Sequence, residues 1–143
     1  MLDTSLLDDF TWENYKDISD ALVQFDQNNI DSEMERQASI YSYYHGLMSL
    51  AKRTVGREQT AHDRIAGMVR SSCKSNATGK LTAKDLDDLV FSHEDYIESL
   101  NSVNDATFKY ELLKGLVRSL EQKLTMMQQV SANRREETKL YRH

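Results

Sequence analysis

The sequence predicts an all-α protein, two long helices folded back on each other as an antiparallel, coiled-coil-like hairpin, with a short N-terminal helix and a short bridging helix. Three observations predict it. From Tyr96 to Ser131 one face alternates in steps of three and four residues, through Ser99, Val103, Ala106, Tyr110, Leu113, Val117, Leu120, Leu124 and Met127. Such a heptad keeps one side turned to a neighbour along its whole length. A second stretch, Ile40, Tyr44, Leu47, Ala51, Thr54, Glu58, Ala61, Ile65 and Met68, keeps the same intervals with a poorer face. The 143 residues contain no proline, so nothing forces a break in either.

In chain order, residues 1–29 read as an acidic helical arm. Phe10, Trp12, Tyr15, Ile18, Leu22 and Phe25 recur every three to four residues, predicting a short amphipathic helix over 8–25. Trp12 and its neighbours are expected to dock on the long helices; the other reading is an acidic arm that competes for a basic surface. The period breaks at Asp26–Asn29, and Asp31 or Ser32 is expected to cap the first long helix, residues 30–73. Thr54 and Glu58 interrupt its apolar face and Gly46, Gly56 and Gly67 weaken it, which predicts a bend or a water-lined stretch near 54–60.

Residues 74–91 form the bridge. A turn-rich loop over Cys73 to Lys80 precedes Thr82, which caps a two-turn helix carrying Leu86, Leu89 and Val90. The second long helix spans 92–135, with Ser92 and Asp95 read as its capping box and 136–143 as a tail. Leu112, Leu116 and Val130 widen its seam, and Gly115 reads as a point of close packing. A long hairpin with an apolar seam favours a homo-oligomer, whose interface is expected at Tyr110, Leu113, Val117, Leu120, Leu124 and Met127.

Length and composition fit one domain. The single cysteine, Cys73, precludes an internal disulfide and fits a reducing compartment. No apolar run reaches membrane-span length, and the first thirty residues are acidic where a signal peptide is basic and then apolar, so the expected location is cytoplasmic with no membrane partner. The net charge of −5 conceals a strong sorting of charge. Residues 1–36 hold ten acids against two bases and residues 37–84 two acids against eight bases; residues 85–113 hold eight acids against one base and residues 114–143 seven bases against three acids.

The residues that carry chemistry elsewhere are not arranged for it here. His45, His62, His93 and His143 share no metal-ligand spacing with Cys73 or each other and read as surface histidines. Gly79-Lys80-Leu81-Thr82 lacks the first glycine and the strand of a phosphate loop. No carboxylate pair is placed around a pocket. The expectation is therefore a non-enzymatic binding protein without cofactor or metal. Its basic cluster, Lys52, Arg53, Arg57, Arg64, Arg70, Lys74, Lys80 and Lys84, lies late in the first long helix and in the bridge, and suits phosphates collectively. Arg57, Arg64 and Arg70 read as one broad stripe.

Several segments resemble the phage UvsY-type recombination mediators, which load recombinase onto single-stranded DNA coated with single-strand-binding protein. The likeness covers Ile30 to Glu137 and rests on Ser92-His-Glu-Asp95, Leu112-Leu-Lys-Gly-Leu-Val117 and Ala132-Asn-Arg-Arg-Glu136, with Gly79-Lys80-Leu81 and the Tyr41 to Tyr44 segment. It implies a helical hairpin, a ring-like homo-oligomer and DNA contacts from Arg64 and Arg70, with Lys74 and Lys80 as additions. Asn76-Ala77-Thr78 stands where the resemblance calls for an aromatic pair, and the tail lacks the corresponding aromatic residue. The partners implied are single-stranded DNA, a phage recombinase, single-strand-binding protein and further copies of the chain. The alternative is a helical assembly protein, a phage chaperone or structural adaptor, that binds no DNA.

Overall fold

A computed structural model describes residues 7–142. The described residues contain no strand. They form α1 (Trp12–Val23), a 3-10 turn (Gln27–Asn29), α2 (Ile30–Asn76), α3 (Ala83–Phe91) and α4 (Glu94–Tyr141). The chain divides into two compact units: Met1–Leu50 with Glu111–His143, and Ala51–Tyr110. Both long helices contribute to each unit and pack against each other there.

Helix starts are set by local hydrogen bonds, and two of them differ from the expected ones. Thr11 caps α1 reciprocally with Asn14. The Asp26 carboxylate accepts the Asn28 N–H at 2.9 Å, so the cap belongs to the 3-10 turn; α2 follows without a gap, with Asp31 inside its first turn rather than capping it. Thr82 caps α3 as expected, paired with Asp85. Ser92 does not open α4. Its hydroxyl donates back to the Asp88 carbonyl at 2.7 Å, closing α3, and the His93 ring nitrogen Nδ1 accepts the Asp95 N–H at 3.1 Å instead. A serine at the end of a helical turn finds an i−4 carbonyl as readily as it finds a forward N–H. The segment expected as a tail is helical to Tyr141.

In the first unit, α1 and the early part of α2 pack on the late part of α4. Leu113, Leu116, Leu120 and Met127 are wholly buried there, with Leu47, Val117 and Phe10 nearly so. Phe10 meets the Tyr44 ring edge-on at 6.0 Å. The Tyr15 hydroxyl lies 3.2 Å from where a β-carbon at Gly115 would sit, so this glycine does mark a close approach. Docking of the N-terminal segment falls to Leu7, Phe10 and Tyr15; Trp12 stays 64% exposed. Lys123 is buried, and its ammonium donates to the Leu22 carbonyl at 2.7 Å, in the last turn of α1, with Glu33 at 3.9 Å. That turn carries no basic residue of its own, so a cation from α4 completes the C-terminus of α1. Burial holds the Lys123 pKa below its ordinary value against the opposing pull of Glu33.

These contacts revise the expectation for the seam. Every predicted seam position of α4 is buried or half-buried, but within one chain. Leu113, Val117, Leu120 and Met127 are sealed by the chain's own helices, with Tyr110 and Leu124 half-buried, so no second copy is needed to cover them. The N-terminal segment explains part of the difference, because it packs on α4 as well, with Tyr15 beside Gly115 and the Leu22 carbonyl on Lys123.

In the second unit, the late part of α2, α3 and the early part of α4 surround Val69, Leu86 and Val90, with Ile65, Cys73, Leu81 and Tyr96 against them. α2 runs through Gly46, Gly56 and Gly67 without interruption. The irregularity expected near 54–60 takes another form, a change in register. Ala61 and Met68, predicted to face inward, are exposed, and His62 and Val69 are buried in their place. Beyond Ala51 the buried face steps by four before alternation resumes, a stutter that shifts the seam by one residue. His62, expected at the surface, is buried with its Nδ1 2.7 Å from the Ser99 hydroxyl, which bonds the Tyr96 carbonyl at 3.0 Å. With the serine donating to that carbonyl, the imidazole N–H is left to donate to the serine.

Candidate nucleic-acid interface

The register change decides which bases share a face. With His62 and Val69 turned inward, the opposite side of α2 carries Arg53, Arg57 and Arg64, which fall within about 40° of one another at 100° per residue. They line one shallow surface with Gly56, Thr60 and Ala61 between them. All three arginines are exposed, and among the described residues none has an ion-pair partner. Gly56 and Ala61 keep the surface low between the guanidinium groups, and the row spans about 16 Å along the helix. Its chemistry is that of a row of fixed donors, matched to anionic oxygens rather than to base edges.

Arg70 does not belong to this row. It lies about 120° round the helix from Arg64 and pairs with Asp87 of α3 at 2.6 Å. This ion pair fastens the bridge helix to α2, and a guanidinium already neutralised is a poor phosphate ligand. The broad stripe read through Arg57, Arg64 and Arg70 therefore reduces to Arg57 and Arg64. Lys74 is exposed in the last turn of α2, where its charge also suits the helix terminus. Lys80 is exposed in the connection to α3, on the rim of a concavity shared with Cys73, Thr78, Gly79 and His93. Neither lines the arginine surface. Arg53, counted with the basic cluster but not with the stripe, belongs to the row, and its signal was available: spacings of four and eleven place 53, 57 and 64 on one side of a helix.

The early part of α4 presents the opposite sign. Glu94, Glu98 and Asp105 surround Ile97 on a shallow exposed surface. Leu89, Phe91, Ile97 and Leu100 of α3 and α4 are exposed apolar side chains of this unit. Among the described residues there is no group of three His, Cys, Asp or Glu that could hold a metal ion, and no helix long and apolar enough to cross a membrane.

Comparison of the chain with protein-family models, with curated proteins and with solved structures finds no match.

Proposed function

We propose that this chain is a non-enzymatic single-stranded-DNA-binding protein that acts as a recombination mediator of the UvsY type. The observation that carries the reading is the row of exposed arginines at 53, 57 and 64, without an ion-pair partner among the described residues, in a chain whose net charge is negative. An acidic protein gains nothing in solubility from gathering its bases; a phosphate-bearing partner does gain from it. Contacts to phosphates carry no sequence information, so one surface serves any strand, as a mediator requires. The action is competitive: holding the strand while single-strand-binding protein leaves and recombinase enters needs affinity and exchange, not turnover. In this reading further copies associate through the exposed apolar side chains Leu89, Phe91, Ile97 and Leu100, since the α4 seam is already filled. Fluorescence anisotropy with labelled oligo-dT and with a mixed-sequence strand of equal length tests it. Equal affinities that weaken between 50 and 200 mM salt, by about twentyfold for three phosphate contacts, are expected. Absence of binding at the lower salt contradicts it.

The same exposed apolar side chains favour a second reading, a helical assembly protein that touches only other proteins. Sedimentation of an Ile97→Asp, Leu100→Asp variant separates the two. Self-association of the wild type that the variant loses, with DNA binding by the arginine row intact, supports the first; the same loss of self-association with no DNA binding by the wild type or the variant supports the second.

A further inference from the structure

A second basic concavity lies in the first unit, where the end of α4 runs beside the start of α2. It encloses about 480 Å³. Four cations, Arg134, Arg135, Lys139 and Arg142, line it against the single carboxylate of Asp31, with the amides of Asn28 and Asn29 on the facing wall. Arg135 and Arg142 are one heptad apart, on the same side of α4. Lys139 is paired with Glu136 at 3.5 Å; among the described residues the three arginines have no ion-pair partner.

Helix polarity alone does not account for this cluster. Cations near a helix C-terminus are favourable within the last turn, which covers Lys139, with Arg142 just beyond it, but not Arg134 and Arg135, about one turn earlier. The facing wall supplies amide donors at the start of a 47-residue helix, the end that favours negative charge. A cleft lined by four cations of one element and two amides of another, with one acid and a volume suited to a nucleotide, matches an anion better than a neutral ligand.

We infer that this cleft holds phosphate groups, carried either by a nucleotide chain or by a free nucleotide. It is separate from the arginine row and does not depend on the function proposed for that row. The test uses the full chain, isotope-labelled, and follows the Asn28 and Asn29 side-chain amides by NMR during titration with ATP in one arm and with a short oligo-dT in the other. The same titrations are run on Arg135→Ala, Arg142→Ala and on Arg57→Ala, Arg64→Ala, with melting curves to establish that each is folded. Saturable shifts of the asparagine amides in either arm, lost in the first variant and retained in the second, are expected, and the arm that saturates identifies the source. Removing two phosphate contacts is expected to weaken oligo-dT at the cleft roughly twenty-five-fold at 0.1 M salt, and ATP measurably. No saturable shift in either arm, or shifts unchanged in the folded Arg135→Ala, Arg142→Ala variant, overturns the inference. If oligo-dT fails to bind anywhere while ATP saturates the cleft, the cleft stands and the strand-binding function falls.

Discussion

A lysine ammonium in a helical core must find hydrogen-bond acceptors, and Lys123 finds one in the Leu22 carbonyl that α1 leaves open. Replacing Lys123 with Met keeps the volume and removes the donor. Hydrogen exchange should then accelerate in the last turn of α1 while the α4 core around Leu120 stays protected. The pH dependence has a definite sign. The folded chain releases this proton before the unfolded chain does, so between the lowered folded pKa and the ordinary lysine value the unfolded state holds more protons. In that alkaline window stability should rise with pH relative to the Lys123→Met variant, and below it the difference should be flat. The raised pKa values of Tyr41 and Tyr44 act in the opposite sense, which is why the comparison with the variant is the informative one. Ser99 gives a second prediction. Ser99→Ala leaves the His62 N–H buried without an acceptor, at a cost of about 1–3 kcal/mol, and adding His62→Leu should recover most of the loss in chemical denaturation. Neither Lys123 nor His62 was legible in the sequence, because each looks like an ordinary surface residue until a side chain or carbonyl distant in the chain is brought to it.

At the scale of helices, the α4 seam was legible because its apolar residues keep strict intervals from Tyr96 to Ser131. The α2 seam was legible only to Ala51. Beyond it Ala61 and His62, and again Met68 and Val69, compete for the inward position, and the intervals alone do not choose between them. Packing against α3 and Tyr96 makes the choice, burying Val69 and exposing Met68. Gly56 and Gly67 lie in this stretch with nothing within 4 Å of where a β-carbon would be. Gly56→Ala and Gly67→Ala should each raise stability by about 0.5–1 kcal/mol in thermal or chemical unfolding, since only helix propensity changes. For α4 the seam belongs to the fold of one chain. Leu120→Asp should therefore lower the stability of the chain itself by about 4 kcal/mol or more, with melting and loss of helix at temperatures where the wild type is folded. A well-folded monomer from this variant would restore the seam to an oligomer interface.

For the whole molecule, charge sorting was plain in the sequence and its consequence was not. The four blocks of alternating sign are visible in composition, yet which bases act together depends on helix phase and on competing ion pairs. Arg70 illustrates both: counted with the basic cluster, it is turned from Arg64 and neutralised by Asp87. Arg53, Arg57 and Arg64 remain as the row that a strand would meet. The central claim is that this row contacts phosphates, and the slope of log affinity against log salt measures it most directly. With labelled oligo-dT and the full chain, the Arg57→Ala, Arg64→Ala variant should lose about 1.4 from the slope, the share of two phosphate contacts on a single strand. Arg70→Ala should lower the melting temperature and leave the slope unchanged. An unaltered slope in the folded double variant, or an equal loss from Arg70→Ala, would contradict the account.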